Sequence, residues 1–260
     1  EVMEVTSEVY FAAGDIMKQK GRLAGVADEG GWWPIFNSNE EALETLTLAI
    51  EKAGEKPGDR VVVSLDVAAS EFCTEGRYRL ALEDRDMDAD GLIDLLGTWI
   101  DSYSIASIED PVSEDDPAGM AEFTRRFGTR VQIIGDDYLV TNAKLVTEAA
   151  AQKACNAVLI KVNQAGTITE GVDAFKAANA AGYRSVVSAR SGETEDVTIS
   201  HLATGLGAGQ LKVGSFTRSE RMAKWNECLR IQDTLGRDAF VGGAPLANTW
   251  WGRKNNGEQR

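Results

Sequence analysis

The chain has 260 residues, with 27 Lys and Arg residues against 41 Asp and Glu residues, so its formal net charge is −14. Such an acidic protein lacks the basic face that a phosphate backbone requires, which excludes nucleic acid as an expected partner. Hydrophobic residues make up 43% of the chain, a content typical of globular domains and too high for a disordered chain. No apolar run approaches the roughly 18 residues that a membrane span needs, so no membrane partner is expected either.

Cysteine and histidine are too sparse for a disulfide framework or a zinc site. Cys73, Cys155 and Cys228 are odd in number and widely spaced, and His201 is the one histidine of the sequence. We therefore expect buried thiols in a reducing compartment. The first residues show no basic-then-apolar signal pattern, so the expected location is the cytoplasm.

The chain starts inside a helical pattern. Apolar residues recur at helical spacing from Val9 to Met17, and Lys18, Lys20 and Gly21 close the segment. This pattern begins almost at Glu1, without an initiator Met, which leaves both a fragment and a whole gene product open as interpretations.

Apolar runs rich in β-branched residues then alternate with amphipathic stretches. The predicted strands are 61–65, 105–108, 131–134, 157–160, 185–188 and, more weakly, 210–213. The predicted helices are 40–52, 118–127, 142–152, 167–181, 197–205 and 219–235. This alternation predicts an α/β fold with a parallel sheet covered by helices.

The regular spacing of the strands favours a TIM-like (β/α) barrel over an open doubly wound sheet. Successive strands are about 25 residues apart over most of the chain, and no Gly-x-Gly-x-x-Gly follows the first strand. A closed barrel needs about eight strands and six are found, so two strands lie in a missing N-terminal part or escape recognition. We predict a partial barrel domain over 1–236 and a C-terminal tail over 237–260, with Trp250 and Trp251 as candidate anchors.

Charged residues follow the ends of the predicted strands. In chain order they are Asp66, Glu109, Asp136, Lys161, Arg190 and Lys212. The carboxyl ends of barrel strands converge on one face, which holds the active site. A single acid at such a position is often only a helix N-cap, but a whole ring of uncompensated charges would be costly. We therefore expect one functional constellation at this face, here called the barrel mouth.

The three acids of this constellation indicate a cation site. Asp66, Glu109 and Asp136 offer carboxylate oxygens, the ligands that suit Mg²⁺, and no thiol or imidazole in the pattern favours zinc. Asp110 and Asp137, one residue further along, are candidate supports for these ligands.

The two lysines have separate uses beside such a site. A lysine with cationic neighbours can act as a base near neutral pH, and a second lysine can hold an anionic group of a substrate. The alternative is that Lys161 and Lys212 only neutralise the acids. Upstream, the turn Asp28-Glu29-Gly30-Gly31 is either a solvated turn or a flexible loop that holds Glu29 over the barrel mouth.

Ordered motifs around these residues make the chain resemble the enolase family up to about Gly236. The matching stretches are Asp28-Glu29-Gly30-Gly31, Leu65-Asp66-Val67-Ala68-Ala69-Ser70-Glu71-Phe72, Ser107-Ile108-Glu109-Asp110-Pro111, Gly135-Asp136-Asp137, Leu159-Ile160-Lys161-Val162-Asn163-Gln164, Arg190-Ser191-Gly192-Glu193-Thr194-Glu195-Asp196 and Gly209-Gln210-Leu211-Lys212. The implied fold is the C-terminal barrel of enolase, without its first strands and its N-terminal α+β domain.

The resemblance implies a Mg²⁺-dependent lyase that converts 2-phosphoglycerate into phosphoenolpyruvate and water through an aci-carboxylate intermediate. It implies that Asp66, Glu109 and Asp136 bind the metal ion. It also implies that Lys161 removes the proton from the carbon beside the substrate carboxylate. It further implies that Lys212 binds the substrate carboxylate and takes part in catalysis, and that Arg190 and Ser191 bind the phosphate group. Glu29 is implied to assist the departure of the substrate hydroxyl group. Family members pair as dimers, so the resemblance also implies a homodimer.

Departures from the family pattern leave alternatives open, and one of them is that the family's N-terminal domain and first barrel strands have no counterpart in this chain. Glycolytic enolases carry histidine where this chain has Ala189, and alanine can neither bind phosphate nor move a proton. Trp32-Trp33-Pro34 replaces smaller residues and is expected to reshape the pocket, and 238–260 has no recognised counterpart. The alternatives are a diverged enzyme of phosphonate metabolism that resembles carboxyphosphonoenolpyruvate synthase, with a related three-carbon phosphorylated substrate, or a non-catalytic binding protein.

Overall fold

The computed structural model describes residues 1–255. Its helices in that range are α1 (Val2–Gln19), α2 (Asn39–Lys52), α3 (Ala89–Ser102), α4 (Pro117–Phe127), α5 (Ala143–Gln152), α6 (Val162–Ala165), α7 (Ile168–Ala180), α8 (Thr198–Gly205), α9 (Ser219–Leu235) and α10 (Trp250–Asn255). Its strands are β1 (Leu23–Val26), β2 (Trp32–Pro34), β3 (Val63–Asp66), β4 (Cys73–Thr74), β5 (Arg77–Leu80), β6 (Arg85–Met87), β7 (Ile105–Glu109), β8 (Gln132–Gly135), β9 (Ala157–Lys161), β10 (Arg184–Ser188) and β11 (Leu211–Lys212). Among these helices, none is both long and apolar enough to cross a bilayer.

Six parallel strands form one curled sheet in the order β3-β7-β8-β9-β10-β11, which is also their order along the chain. These are the six predicted strands, and the predicted α/β barrel architecture is confirmed. Within residues 1–255 the sheet does not close, because β3 pairs in it only with β7 and β11 only with β10. The sheet curls far enough that Lys212 at one edge reaches Asp66 at the other.

Helices cover the strands, which explains why the strands are almost continuously apolar. All residues of β7 and β8 are buried, and the main core includes Ile108, Ile133 and Val158 from neighbouring strands. In a parallel sheet of this kind the helical crossovers leave no wet face on which polar residues could alternate. The charged residues of these strands therefore lie at their ends.

Side-chain caps fix where the helices begin. Ser38 accepts a hydrogen bond from the backbone N–H of Glu41 ahead of α2, and Asn142 caps α5. Thr167 accepts from the N–H of Glu170 and donates its hydroxyl proton to the Glu170 carboxylate at 2.7 Å. Such caps satisfy N–H groups that have no partner inside the helix, and the predicted helix starts agree with the observed ones within two residues.

The segment between β3 and β7 contains elements that the sequence did not predict. It holds the antiparallel sheet β4-β5-β6 and the helix α3. The three strands have two to four residues and carry charged, exposed side chains such as Arg77 and Arg79, so they show no apolar run. Half of the residues of α3 are buried, all of them between Leu92 and Ile100. Its apolar residues recur at helical spacing as clearly as in the predicted helices, so this helix was missed although its pattern is present in the sequence.

The chain after α9 packs back on the sheet at the end opposite the barrel mouth. Trp250 donates from Nε1 to the carbonyl oxygen of Ile105, the first residue of β7, at 2.6 Å. Trp251 donates from Nε1 to the carbonyl oxygen of Asp59 at 2.5 Å. The prediction that these two tryptophans are anchors is therefore confirmed, whereas residues 256–260 of the predicted tail lie outside the described range.

The three cysteines are free thiols. Cys155 is buried, as expected, while Cys73 and Cys228 are only half-buried. The expectation of fully buried thiols is thus wrong for the last two. Cys73 lies in the short strand β4, and Cys228 lies on α9, so neither belongs to the central sheet.

Candidate active site

The three predicted metal ligands lie at the ends of adjacent strands. Asp66 is the last residue of β3, Glu109 is the last residue of β7, and Asp136 directly follows β8. Asp66 is the register partner of Glu109 in the parallel pairing of β3 with β7. The sheet itself therefore sets the Asp66 and Glu109 carboxylates side by side, and Asp136 lies two residues beyond Ile134, the register partner of Glu109.

Lys212 connects two of these carboxylates across the open side of the sheet. Its Nζ donates to Asp66 Oδ2 at 2.8 Å and to Glu109 Oε1 and Oε2 at 2.8 and 2.9 Å. Burial lowers the pKa of Lys212, but the charges of Glu109 and Asp66 outweigh burial, and the net pKa is raised. Lys212 is therefore a permanent cation at this position.

Glu109 is the most deeply buried of the three acids, with a side chain that is 3% exposed. Burial, followed by the negative charge of Asp66, raises the pKa of Glu109, and the ammonium group of Lys212 opposes both effects. A buried carboxylate next to a second acid needs positive charge near it to remain ionised.

Lys161 and Asp136 form the second ion pair of the site. Lys161 is the last residue of β9, and its Nζ donates to Asp136 Oδ2. Gln164 donates to the other carboxylate oxygen of Asp136 at 3.3 Å and accepts from the Thr141 hydroxyl at 2.7 Å. Thr141 Oγ1 also accepts the backbone N–H of Lys161 at 3.0 Å, so the ion pair has support on both sides.

Asp110 holds the backbone that carries Asp136. Its Oδ1 and Oδ2 accept the backbone N–H groups of Asp136 and Asp137 at 3.0 and 2.8 Å. Burial raises the pKa of Asp110 to about 7, despite these two hydrogen bonds, which lower it. Asp110, Asp136 and Asp137 offer carboxylate oxygens within 4.8 Å of one another, but both oxygens of Asp110 already accept from the backbone. We therefore interpret Asp110 as a support for Asp136.

The loop that carries Glu29 is docked on the barrel mouth and is not a free turn. It connects β1 to β2, and the Ser191 hydroxyl donates to Glu29 Oε1 at 2.7 Å. The carbonyl oxygen of Glu29 accepts the backbone N–H of Ser215 at 2.8 Å. Gly30 has a φ of +77°, and a Cβ on it would lie 2.3 Å from the carbonyl oxygen of Thr217, so this close approach requires glycine.

The two candidate phosphate ligands lie in an irregular loop after β10. Arg190 and Ser191 are exposed, whereas Ala189 before them is 8% exposed. The exposed guanidinium group of Arg190 is available to an anionic ligand at the barrel mouth, whereas the Ser191 hydroxyl donates to Glu29 in this structure.

A cavity of about 510 Å³ opens below the acids. Glu29, Asp66, Glu109 and Lys212 line it, and the side chains of the edge strands β3 and β11 form much of its wall. The structure thus brings together predicted residues from the first, second and last parallel strands with the Glu29 loop at one cavity.

The expectation that Trp32 and Trp33 reshape the pocket is wrong. Trp32 stacks on Tyr10 of α1 with ring centroids 4.5 Å apart, and its Nε1 donates to the Tyr10 carbonyl oxygen at 2.8 Å. Trp33 is 60% exposed. Because the side chain of Trp32 is held against α1, neither tryptophan lines the 510 Å³ cavity.

Four supporting residues of the site were not assigned a role from the sequence. Thr141 and Gln164 contact the Lys161–Asp136 pair, and Arg221 and Lys224 of α9 contact the loop after β10. Arg221 and Lys224 are three residues apart, so they lie on the same face of α9. This face is buried, and the buried face of a helix is usually apolar. That placement is the one signal that distinguishes them in the sequence.

A curled parallel sheet whose strand ends carry acids and lysines defines a (β/α)-barrel protein with its site at the carboxyl ends of the strands. The family "Enolase, C-terminal TIM barrel domain" matches residues 1–249, and the chain belongs to this family. It is 49% identical over 242 residues to Enolase 1 of Desulfitobacterium hafniense (strain Y51), a stretch that covers 92% of this chain and 55% of that relative. The chain thus spans about half the length of the curated relative.

Proposed function

We propose that this chain supplies the catalytic barrel of an enolase-type lyase that converts 2-phosphoglycerate into phosphoenolpyruvate and water. The observation that carries the proposal is the pairing of two lysines with three strand-end carboxylates at one barrel mouth. The 49% identity to a relative named Enolase 1 supports the same reaction class.

The three carboxylates fit a hard divalent cation. Asp66, Glu109 and Asp136 present oxygen donors only, and the buried carboxylate of Glu109 needs nearby positive charge. We propose that these residues hold Mg²⁺. When bound, the ion supplies positive charge that stabilises the negative charge developing on the substrate carboxylate.

Proton removal and carboxylate binding fall to the two lysines. In the proposed reaction, the amine of Lys161 takes the proton from the carbon next to the substrate carboxylate, and the ammonium group of Lys212 holds that carboxylate. The electron pair of the broken C–H bond then forms the double bond as the hydroxyl group leaves from the neighbouring carbon. Protonated Glu29 gives its proton to that hydroxyl group, which departs as water.

Arg190 and Ser191 bind the phosphate group in this proposal. The guanidinium group supplies charge and paired donors that suit a phosphate. The Ser191 hydroxyl also contacts Glu29 at 2.7 Å, so the same residue links the phosphate end of the substrate to the residue that assists the leaving group.

Ala189 favours a second candidate, a diverged enolase-fold enzyme. The Ala189 side chain is nearly buried directly before Arg190, and its methyl group offers neither a hydrogen bond nor a proton. A related three-carbon phosphate or phosphonate substrate, as for an enzyme similar to carboxyphosphonoenolpyruvate synthase, would need neither from this position. The third candidate is a protein that binds such an anion without turnover.

One assay separates these candidates. The complete protein is incubated with 2-phosphoglycerate and Mg²⁺, and the absorbance of the enol phosphate is followed, with Ala189→His as the second variant. Turnover by the unmodified protein supports the first candidate. The first candidate is contradicted if neither the unmodified protein nor Ala189→His converts 2-phosphoglycerate while both still bind it in the presence of Mg²⁺. That result favours a diverged or non-catalytic protein.

We also propose a homodimer in the cytoplasm, on the pattern of the family. Mass measurement of the complete protein in solution tests the dimer. A mass equal to one subunit at micromolar concentration contradicts it.

A further inference from the structure

Two cationic side chains of α9 are buried beneath the barrel mouth. Arg221 is 1% exposed and Lys224 is 0% exposed. Burying a cation is costly unless hydrogen bonds or opposite charges compensate it. The contacts that compensate these two residues therefore show what the burial achieves.

Arg221 donates to backbone carbonyl oxygens of two loops. Its Nη1 donates to the carbonyl oxygens of Val213 at 3.1 Å and Arg190 at 3.3 Å, and its Nη2 donates to that of Ser191. Val213 directly follows Lys212, so one guanidinium group joins the carboxylate-binding lysine to the phosphate-binding loop.

The aliphatic part of Arg221 contacts the third loop of the site. A Cβ on Gly214 would lie 2.6 Å from Arg221 Cδ and 2.5 Å from the carbonyl oxygen of Glu29, and a Cβ on Gly30 would lie 3.4 Å from Arg221 Cγ. The backbone of the Glu29 loop is thus packed against the arginine stem. Arg221 touches the loops of Glu29, Ser191 and Lys212 at once.

Lys224 extends the same support along the loop after β10. Its Nζ donates to the carbonyl oxygen of Thr194 and pairs with the Glu193 carboxylate at 2.7 Å. Glu193 also accepts from Asn163, two residues after Lys161, at 2.9 Å. The loop has no regular secondary structure between β10 and α8, so these donors satisfy carbonyl groups that no ladder or helix satisfies.

We propose that Arg221 is a positioning residue that fixes the Glu29 loop, the Arg190–Ser191 loop and Lys212 relative to one another. The proposal rests on the proposed function of these three loops. A guanidinium group donates from two separate nitrogens in one plane, and Arg221 uses them for three carbonyl oxygens, whereas a lysine side chain is shorter and donates from one nitrogen atom. Arg221→Lys therefore keeps the charge but loses the bridging.

Backbone hydrogen exchange of the complete protein tests this proposal without any assay of turnover. The variants are Arg221→Lys and Arg221→Met. The matched control is Arg230→Met, an exposed arginine on the same helix whose ion pair within residues 1–255 is with Glu227. We expect exchange to rise about tenfold in 27–31, 189–196 and 213–217 for both Arg221 variants, with β7 to β9 unchanged, because charge-assisted hydrogen bonds are lost. Unchanged exchange in Arg221→Lys, or a uniform rise throughout the chain, overturns the proposal.

The KM for 2-phosphoglycerate is a second measurement, and general destabilisation of the fold would not change it in the folded protein. Arg221→Lys is expected to raise KM for 2-phosphoglycerate about tenfold at a temperature where it is fully folded, and methylguanidinium is expected to restore part of the loss in Arg221→Ala. An unchanged KM in Arg221→Lys contradicts the proposal. If the unmodified protein itself shows no turnover, the proposed reaction fails, while the hydrogen exchange result still decides whether Arg221 positions the loops.

Discussion

At the scale of single residues, the site is a balance between buried acids and the cations that hold them. Glu109 has its pKa raised by burial and by Asp66, and Lys212 reduces this effect through hydrogen bonds to both carboxylates. A divalent cation at the same oxygens would provide stronger compensation than one ammonium group. Metal binding and protonation of Glu109 are therefore expected to compete.

This competition predicts that Mg²⁺ binding releases protons near neutral pH. Because the pKa of Glu109 is raised above its ordinary value, part of the free protein carries a proton there that must leave when the ion binds. Mg²⁺ affinity should then rise with pH. Calorimetric titration with Mg²⁺ in two buffers of different ionisation enthalpy measures the protons released, and identical heats in both buffers would argue against the competition.

Asp110 gives a second prediction at this scale. Asp110→Asn keeps the size of the side chain, but an amide has one oxygen that can accept hydrogen bonds. The Asp110 carboxylate uses one oxygen for the N–H of Asp136 and the other for the N–H of Asp137. We expect Mg²⁺ affinity to fall about tenfold, because a group that orients a metal ligand is lost. The control is Asp115→Asn, an exposed acid on the following turn, and an equal effect of both substitutions would contradict the role of Asp110.

At the scale of elements, the loops between strands and helices decide where the reactive groups lie. The Glu29 loop depends on Gly30, whose Cβ position is occupied by the carbonyl oxygen of Thr217. Thr217 Oγ1 also donates to the carbonyl oxygen of Gly30 at 2.7 Å. The loop therefore cannot accept a side chain at this position without moving away from the barrel mouth.

Gly30→Ala is expected to lower turnover of 2-phosphoglycerate at least about tenfold, since small displacements of a reacting group are costly. Gly54→Ala is the matched control, because Gly54 has a similar φ of +83° but open space around its Cβ position. It should cost about 1 kcal/mol of stability from the backbone strain alone and leave turnover near that of the unmodified protein. Equal turnover in the two variants would mean that the close approach of the loop is not needed.

The strand ends, and Asp110 as a support for them, were predictable from the sequence, whereas the supports that come from α9 were not. Asp66, Glu109 and Lys161 follow buried apolar runs, and the geometry of a parallel sheet then brings them to one face. Asp110 adopts a φ of 41° to reach back to the next strand end, and nothing in its local sequence encodes that conformation. Arg221 and Lys224 are on a helix whose charged residues look solvated in sequence, because their partners lie about 30 residues away.

At the scale of the whole molecule, an acidic chain presents a site in which lysines are paired with acids. The net charge is −14, so long-range attraction does not bring an anionic substrate to the protein. Within residues 1–255 the parallel sheet is open between β3 and β11, and Lys212 is the side chain that spans the gap to Asp66 and Glu109. If an anion binds at the barrel mouth as proposed, the positive charge for it would come from Lys161, Lys212 and Arg190 together with the proposed Mg²⁺ ion.

Exchange of the substrate proton in heavy water tests the central claim most directly. The complete protein is mixed with 2-phosphoglycerate in D₂O, and loss of the proton signal beside the carboxylate is followed by NMR, with Lys161→Met as the variant and the exposed Lys176→Met as the control. The account predicts Mg²⁺-dependent exchange in the unmodified protein and the control, and a rate at least about 100-fold lower in Lys161→Met. Equal exchange in Lys161→Met, or exchange that persists without Mg²⁺, would contradict it.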